Sequence, residues 1–153
     1  FPEFDGMGTT LVAVLIHGKK ATVINVGDSR AYGIDENGIF QITKDHSLVQ
    51  MMVDRGDLTP EVAKNYPGKN YITRAIGTDP IVASDIFHHN VAKGDYMLLC
   101  SDGLTNHVEP FEICDTVAEI KDSGDVQSAC ESLIDQANKR GGLDNITVVV
   151  LSI

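Results

Sequence analysis

The sequence predicts an α+β layered fold, and three observations carry that prediction. Short β-branched runs joined by tight turns fill residues 9–43, two helix-spaced segments fill residues 110–139, and residues 145–153 return to strand character. Strands first and helices later, with antiparallel turns, describe a sheet faced by helices rather than a βαβ series. No internal repeat or low-complexity tract interrupts the pattern, so residues 1–153 read as one domain.

Each element has a local reason. Thr9 to Ile16 is β-branched and apolar, Gly18-Lys19 turns, and Lys20 to Val26 returns. Ala31 to Ile34 is a third strand, and Asp35-Glu36-Asn37-Gly38 is a hairpin turn leading to Ile39–Thr43. These four strands predict an antiparallel meander. The period then changes: Leu48, Val49, Met51, Met52 and Val53 are spaced as a helix, with Ser47 or Asp45 as its N-cap. Thr59-Pro60-Glu61 opens a second helix, with proline at the first helical position. Residues 65–70 are a polar loop, and residues 45–71 together form a flap-like excursion from the sheet.

Strand character is expected again over Tyr71–Ile76 and Ile81–Val91, and Lys93-Gly94-Asp95 turns into a strand ending at Cys100. Helices follow at Pro110–Ile120 and Val126–Lys139. In the second, Val126, Ala129, Cys130, Leu133, Ile134 and Ala137 form one apolar stripe, stopped at Arg140-Gly141-Gly142. The last strand is Asn145–Ile153.

Composition narrows the function. Twelve basic against twenty-two acidic residues give a formal charge of −10. That excludes nonspecific nucleic-acid binding, which needs a cationic surface to displace counterions. No apolar stretch reaches the length of a membrane span. Cys100, Cys114 and Cys130 are odd in number and too widely spaced for a zinc motif. They read as buried thiols in a reducing compartment, which predicts a cytoplasmic protein. Phe1-Pro2-Glu3-Phe4 leads almost at once into a strand without an initiating methionine, the expectation for an internal fragment.

The chemistry lies in three aspartates. Tyr96–Cys100 delivers Ser101-Asp102-Gly103-Leu104, Leu143-Asp144-Asn145 opens the final apolar run, and Gly27-Asp28-Ser29 lies between two strands. Any one of them alone reads as a turn-maker, because Asx side chains bond their own downstream backbone. Repetition in one setting favours more: carboxylates at strand ends, on the rim of a sheet, suit a hard divalent cation. Clustered carboxylates repel one another, and a cation offsets that cost. Arg30 and Arg74 lie in strand-like stretches and are expected to pair with acidic neighbours. His46 is expected to assist a helix cap, and adjacent His88 and His89 must point to opposite faces of a strand. Met51 and Met52 are packing residues of the flap helix.

Order adds what no single motif carries. Gly6-Met7-Gly8-Thr9-Thr10, Asn25 to Tyr32, Thr43-Lys44-Asp45-His46-Ser47, Thr73-Arg74-Ala75-Ile76-Gly77, Cys100 to Leu104 and Asp144-Asn145-Ile146-Thr147 follow one another in register. Together they resemble the metal-dependent protein serine/threonine phosphatases of type 2C in their bacterial form, from Met7 to the last residue. The resemblance implies a four-layer α-β-β-α sandwich of two antiparallel sheets, with a Mn²⁺ or Mg²⁺ centre between the sheet ends. It implies Asp102 and Asp144 as ligands of the principal metals and Asp28 as a ligand, with Asp102, of a third. It implies hydrolysis of phosphoserine and phosphothreonine on proteins by a metal-activated water, in opposition to a serine/threonine kinase. The flap at 45–71 is where substrate choice is expected.

One departure qualifies this. The family's first block, with a phosphate-binding arginine and a bridging aspartate in Asp-Gly-x-Gly-Gly, has no counterpart here. Asp5-Gly6-Met7-Gly8 mimics those letters, but it is followed by a strand, so Asp5 is not expected to be a ligand. The expectation is a polypeptide that is inactive or nearly so by itself, that binds one divalent ion weakly, and that exposes apolar surface prone to self-association. The competing reading is a catalytically dead phosphatase-like regulatory or scaffold module.

Overall fold

The computed structural model describes residues 2–121 and 123–153, with Pro2 described in its backbone only; Phe1 of the opening segment lies outside them. Strands β1 (Leu11–His17), β2 (Lys20–Val26) and β5 (Asp85–Asn90) form one sheet in the order β1-β2-β5. Strands β3 (Arg30–Asp35), β4 (Gly38–Gln41), β6 (Tyr96–Cys100) and β7 (Val148–Ser152) form a second, in the order β4-β3-β6-β7. Every pairing is antiparallel.

The expected single meander is therefore broken, between β2 and β3. Both edges of β2 are taken, one by β1 and the other by β5, so β3 has no edge to join. Residues 27–29 instead carry the chain from one sheet to the other. Gly27 makes this possible at φ +106°, where a Cβ would also come within 2.4 Å of Thr10 Cγ2. The hydroxyls of Thr10 and Ser29 close the crossing at 2.7 Å.

Two further strand expectations are corrected. Tyr71–Ile76 makes only isolated bridges, Ser47↔Ile72 and Thr9↔Ile76. Its amides are shared between separate segments, Thr73 N donating to the His46 carbonyl at 2.7 Å and Ile76 N to Thr9 at 2.8 Å. It stitches rather than pairs. The strand expected from Ile81 starts only at Asp85, where pairing with Asn25 of β2 begins, and Ile81 is left exposed to solvent.

Burial explains the layering. All five residues of β6 are buried, because both faces of this strand are covered. Met97 and Leu99 face the other sheet and pack with Ala21, Val23 and Ala31. Tyr96, Leu98 and Cys100 face helices α4 (Pro110–Glu119) and α5 (Val126–Lys139). Helix α5 buries Ala129, Leu133 and Ala137 from the predicted stripe. Each fully buried leucine, such as Leu98 or Leu133, contributes about 2–3 kcal/mol of transfer free energy. Cys100 is a core thiol that burial pushes up to about 12. Cys114 and Cys130 are half-buried rather than buried, and all three thiols are free.

On the three-stranded sheet, Leu15, Ile86 and Leu11 of the outer face are exposed. Among the described residues no helix covers that face, and none is long and apolar enough to cross a membrane. Between β4 and β5 the chain carries helices α1 (Leu48–Arg55) and α2 (Pro60–Ala63) with a loop after them, in the segment read from the sequence as a flap. Ser47 caps α1, its hydroxyl accepting from Gln50 N at 3.2 Å, and Thr59 caps α2.

Candidate metal centre

Strands β3 and β6 end together, with Arg30 opposite Cys100. The same register carried two residues further sets Asp28 level with Asp102, and both side chains line one cavity of about 550 Å³. Its floor is the end of the four-stranded sheet and its roof is the flap. Asp28 is half-buried, and its carboxyl is raised to about 6, first by burial and then by the Asp102 charge facing it. Asp102 is the first residue of a short helix, α3 (Asp102–Thr105), rather than a simple turn, and its Oδ2 accepts from Asn106 Nδ2 at 3.4 Å.

The turn holding Asp28 is fastened on every side. The Gly27 amide donates to His46 Nδ1 at 3.1 Å, and the Gly27 carbonyl accepts from the His46 amide at 2.9 Å and from Asn25 Nδ2 at 3.2 Å. His46 Nε2 lies 3.1 Å from Asp85 Oδ2, and Arg74 Nη1 donates to Asp85 Oδ1 at 2.8 Å. His46 thus braces the turn and caps no helix, which corrects its expected role. Arg74 pairs with an acidic neighbour, as the sequence suggests.

Arg30 does the same at the cavity wall. Its Nε and Nη2 grip Asp45, with the Nη2–Oδ2 contact at 2.6 Å, and Nη1 donates to the Tyr32 hydroxyl at 3.2 Å. Burial opposes the guanidinium charge, and the hydrogen bonds to Asp45 more than offset it, so the group is raised above its ordinary value. Gln41 Nε2 donates to the same carboxylate at 2.9 Å.

Asp144 stands apart from the first two. The ladder from β6 to β7 begins at Cys100↔Val148, so Asp144 precedes the strand by four residues instead of opening it. Its Oδ1 accepts from the next amide, Asn145 N, at 2.7 Å, a bond within its own turn that occupies one carboxylate oxygen. Ser101 ties this turn to the cavity end of β6: its hydroxyl donates to the Asn145 carbonyl at 3.1 Å and accepts from Thr147 N at 3.0 Å. Among the described residues no three His, Cys, Asp or Glu side chains are grouped closely enough to hold a metal ion. The structure brings Asp28 and Asp102 to one cavity and leaves Asp144 beside it. Asp5 is exposed and lies on no part of the cavity wall.

A protein-family profile, protein phosphatase 2C, matches residues 3–50 and 70–146. The chain belongs to the protein phosphatase 2C family. The unmatched residues 51–69 fall inside the flap. Among curated proteins the chain is 40% identical over 149 residues to the serine/threonine phosphatase stp of Listeria welshimeri, covering 97% of this chain and 58% of that protein. It is 39% identical over 152 residues to the serine/threonine protein phosphatase PstP of Mycobacterium tuberculosis, covering 99% of this chain and 29% of that protein. The crystal structure of the Mycobacterium tuberculosis phosphatase PstP/Ppp superposes with a TM-score of 0.92 at 37% identity, over 99% of this chain and 63% of that one. A further solved structure, the PstP catalytic domain in complex with two manganese ions, gives a TM-score of 0.84 at 38% identity, over 97% of this chain and 60% of that one. The chain thus spans less than two thirds of the length of these relatives.

Within this phosphatase 2C domain, residues 64–70 contribute cavity residues, of which the sequence read 65–70 only as a polar loop within the flap-like excursion. Lys64, Asn65, Lys69 and Asn70 line the roof. Lys64 Nζ reaches Glu109 Oε2 at 2.7 Å, tying flap to body. A basic residue at or after the end of a short helix carries no local signal of what it faces; only the folded-back segment supplies that.

The donor set suits a hard divalent cation in part. Asp28 and Asp102 offer carboxylate oxygens at one cavity, where burial first and the facing Asp102 charge second raise the Asp28 carboxyl against the smaller opposing pull of Arg30. Two carboxylates leave such a cation well short of its usual six or so oxygen ligands, so water or other residues must complete the shell.

Proposed function

We propose that this chain carries the aspartate wall of the metal centre of a phosphoprotein phosphatase, with Asp28, Asp102 and Asp144 as metal-directed carboxylates. The observation that carries the reading is the pairing of Asp28 with Asp102 at one cavity, in a chain of the phosphatase 2C family. Asp28 and Asp102 would hold Mn²⁺ or Mg²⁺ directly, with Asp144 joining from the adjacent turn. A divalent cation held at this place would supply activation of water and neutralisation of phosphoryl oxygens.

The chain's own residues do the rest. Asp45 keeps Arg30 folded against the wall, so the guanidinium adds positive charge beside the carboxylates without competing for them. The roof lysines face the side from which a phosphoserine or phosphothreonine segment enters, and Asn65 and Asn70 offer it amide hydrogen bonds. The substrate class is phosphoprotein, and the opposing activity is that of a serine/threonine kinase in the cytoplasm. The uncovered face of the three-stranded sheet, with Leu15 and Ile86, supports self-association.

Calorimetric titration with Mn²⁺ tests the reading. Asp28→Asn and Asp102→Asn should each weaken binding, and Asp144→Asn should weaken it less. Binding that ignores both Asp28→Asn and Asp102→Asn sinks it. With its shell of ligands incomplete, the 153-residue chain should hydrolyse p-nitrophenyl phosphate only at background rate in Mn²⁺. Clear turnover would show that these carboxylates suffice.

A further inference from the structure

The Gly27–Asp28 turn lies between the sheets and belongs to neither, so strand pairing cannot hold it. Its placement falls to side chains. His46 is buried and uses both ring nitrogens: Nδ1 accepts from the Gly27 amide at 3.1 Å, and Nε2 faces Asp85 at 3.1 Å. Accepting at Nδ1 puts the ring proton on Nε2, which lies 3.1 Å from Asp85 Oδ2 and 3.2 Å from Arg74 Nη1. The backbone of His46 adds the reverse bond to the Gly27 carbonyl at 2.9 Å. Gly27 therefore has its donor and its acceptor both committed to one residue, nineteen positions away.

Asn25 strengthens the same grip from below. It is fully buried, donates to the carbonyls of Gly27 at 3.2 Å and Lys44 at 3.1 Å, and leaves its Oδ1 without a protein partner. A polar side chain kept in the core with an orphaned oxygen is explained by what its nitrogen holds. It joins the two segments that His46 also joins.

We propose that His46, seconded by Asn25, is the positioning residue of this metal centre: it clamps the Gly27 peptide and thereby fixes Asp28 opposite Asp102. Through Asp85 and Arg74 the clamp also reaches the 73–76 stitch, so three separate segments are registered on one imidazole. The second readout below rests on the metal reading; the first does not.

Two near-isosteric variants separate the ring's two roles. His46→Asn keeps an acceptor where Nδ1 lies and loses the reach to Asp85. His46→Gln places its amide where Nε2 lies and loses the acceptor for Gly27. Amide hydrogen exchange should show Gly27 exchanging about tenfold faster in His46→Gln, the loss of one hydrogen bond, with Leu98 in β6 unchanged and His46→Asn near wild type. Mn²⁺ affinity should fall about tenfold in His46→Gln and little in His46→Asn, as for residues that orient a ligand. Equal effects of the two variants, an unmoved Gly27 amide in His46→Gln, or a parallel rise at Leu98 would each overturn the proposal. If the wild-type chain takes up no Mn²⁺, the metal reading fails while the Gly27 amide still decides the clamp.

Discussion

Gly103 and Asn145 lie closer than any side chain allows: a Cβ on Gly103 would stand 2.4 Å from the Asn145 carbonyl oxygen. The obstructing atom is backbone, and that carbonyl already accepts from Ser101 Oγ, so it has no easy retreat. Gly103→Ala should push helix α3 and the 143–147 turn apart, at a cost of about 1–3 kcal/mol. Urea unfolding would measure the loss. Mn²⁺ titration should show weaker binding, because Asp102 and Asp144 flank the contact.

The pH response of Asp28 has a defined sign. Its carboxyl is raised by burial and then by Asp102, from an ordinary 3.8 to about 6 in the folded chain. Below pH 3.8 both folded and unfolded forms are protonated and nothing is lost. As pH rises from 3.8 through 6 the unfolded carboxyl ionises first, so this group's contribution to stability falls across that window. Carbon-detected NMR titration should find the Asp28 midpoint near 6, and Asp102→Asn should lower it only in part, since burial remains. An unchanged midpoint in that variant would show that the two carboxylates do not sense each other. Mn²⁺, which needs the ionised form, should bind more tightly at pH 7 than at pH 5.

Asp45→Ala removes the partner of a guanidinium that is mostly shielded from water. The uncompensated Arg30 charge should cost about 3 kcal/mol in thermal or urea unfolding. Arg30→Gln with Asp45→Asn should recover much of that loss, a coupling that a double-mutant cycle would read.

Much of this was legible in the sequence, and the limits are specific. The hairpin at Gly18-Lys19 and the stripe of α5 are local patterns, and they appear as read. Arg30, on β3, and Arg74, in the stitch, each found an acidic partner, Asp45 and Asp85. The split between β2 and β3 was hidden because β5, which takes the second edge of β2, lies sixty residues downstream of it. The Tyr71–Ile76 run has strand composition but spends its amides on separate segments, Thr73 on His46 and Ile76 on Thr9. Spacing alone nominated Asp28 and Asp102 without pairing them, and only the family resemblance put them at one metal; the physical cause of their meeting is the Arg30↔Cys100 register, which no local pattern carries. His46 looked like a capping residue because its true partners, Gly27 and Asp85, are both remote in the chain.

The flap is held by charges at its surface. Helix α1 buries no residue completely, and Lys44–Asp54 and Lys64–Glu109, both at 2.7 Å, link flap to body. Exposed pairs of this kind contribute at most about 1 kcal/mol and are screened by salt. Lys64→Ala should leave the unfolding midpoint nearly unchanged and make residues 64–70 more open to limited proteolysis. Raising ionic strength should do the same to the wild type.

The crossing at residues 27–29 also bears on the order in which the molecule assembles. Asp28 meets Asp102 only after β3 has found β6, a contact between distant parts of the chain and hence slow to close. No intermediate built from β1 and β2 alone contains the cavity. A cation held there acts on the finished fold and is absent from early transition states, so it should slow unfolding and leave the refolding rate unaltered. The carboxylate pair is then a checkpoint on completed assembly as much as a place for chemistry.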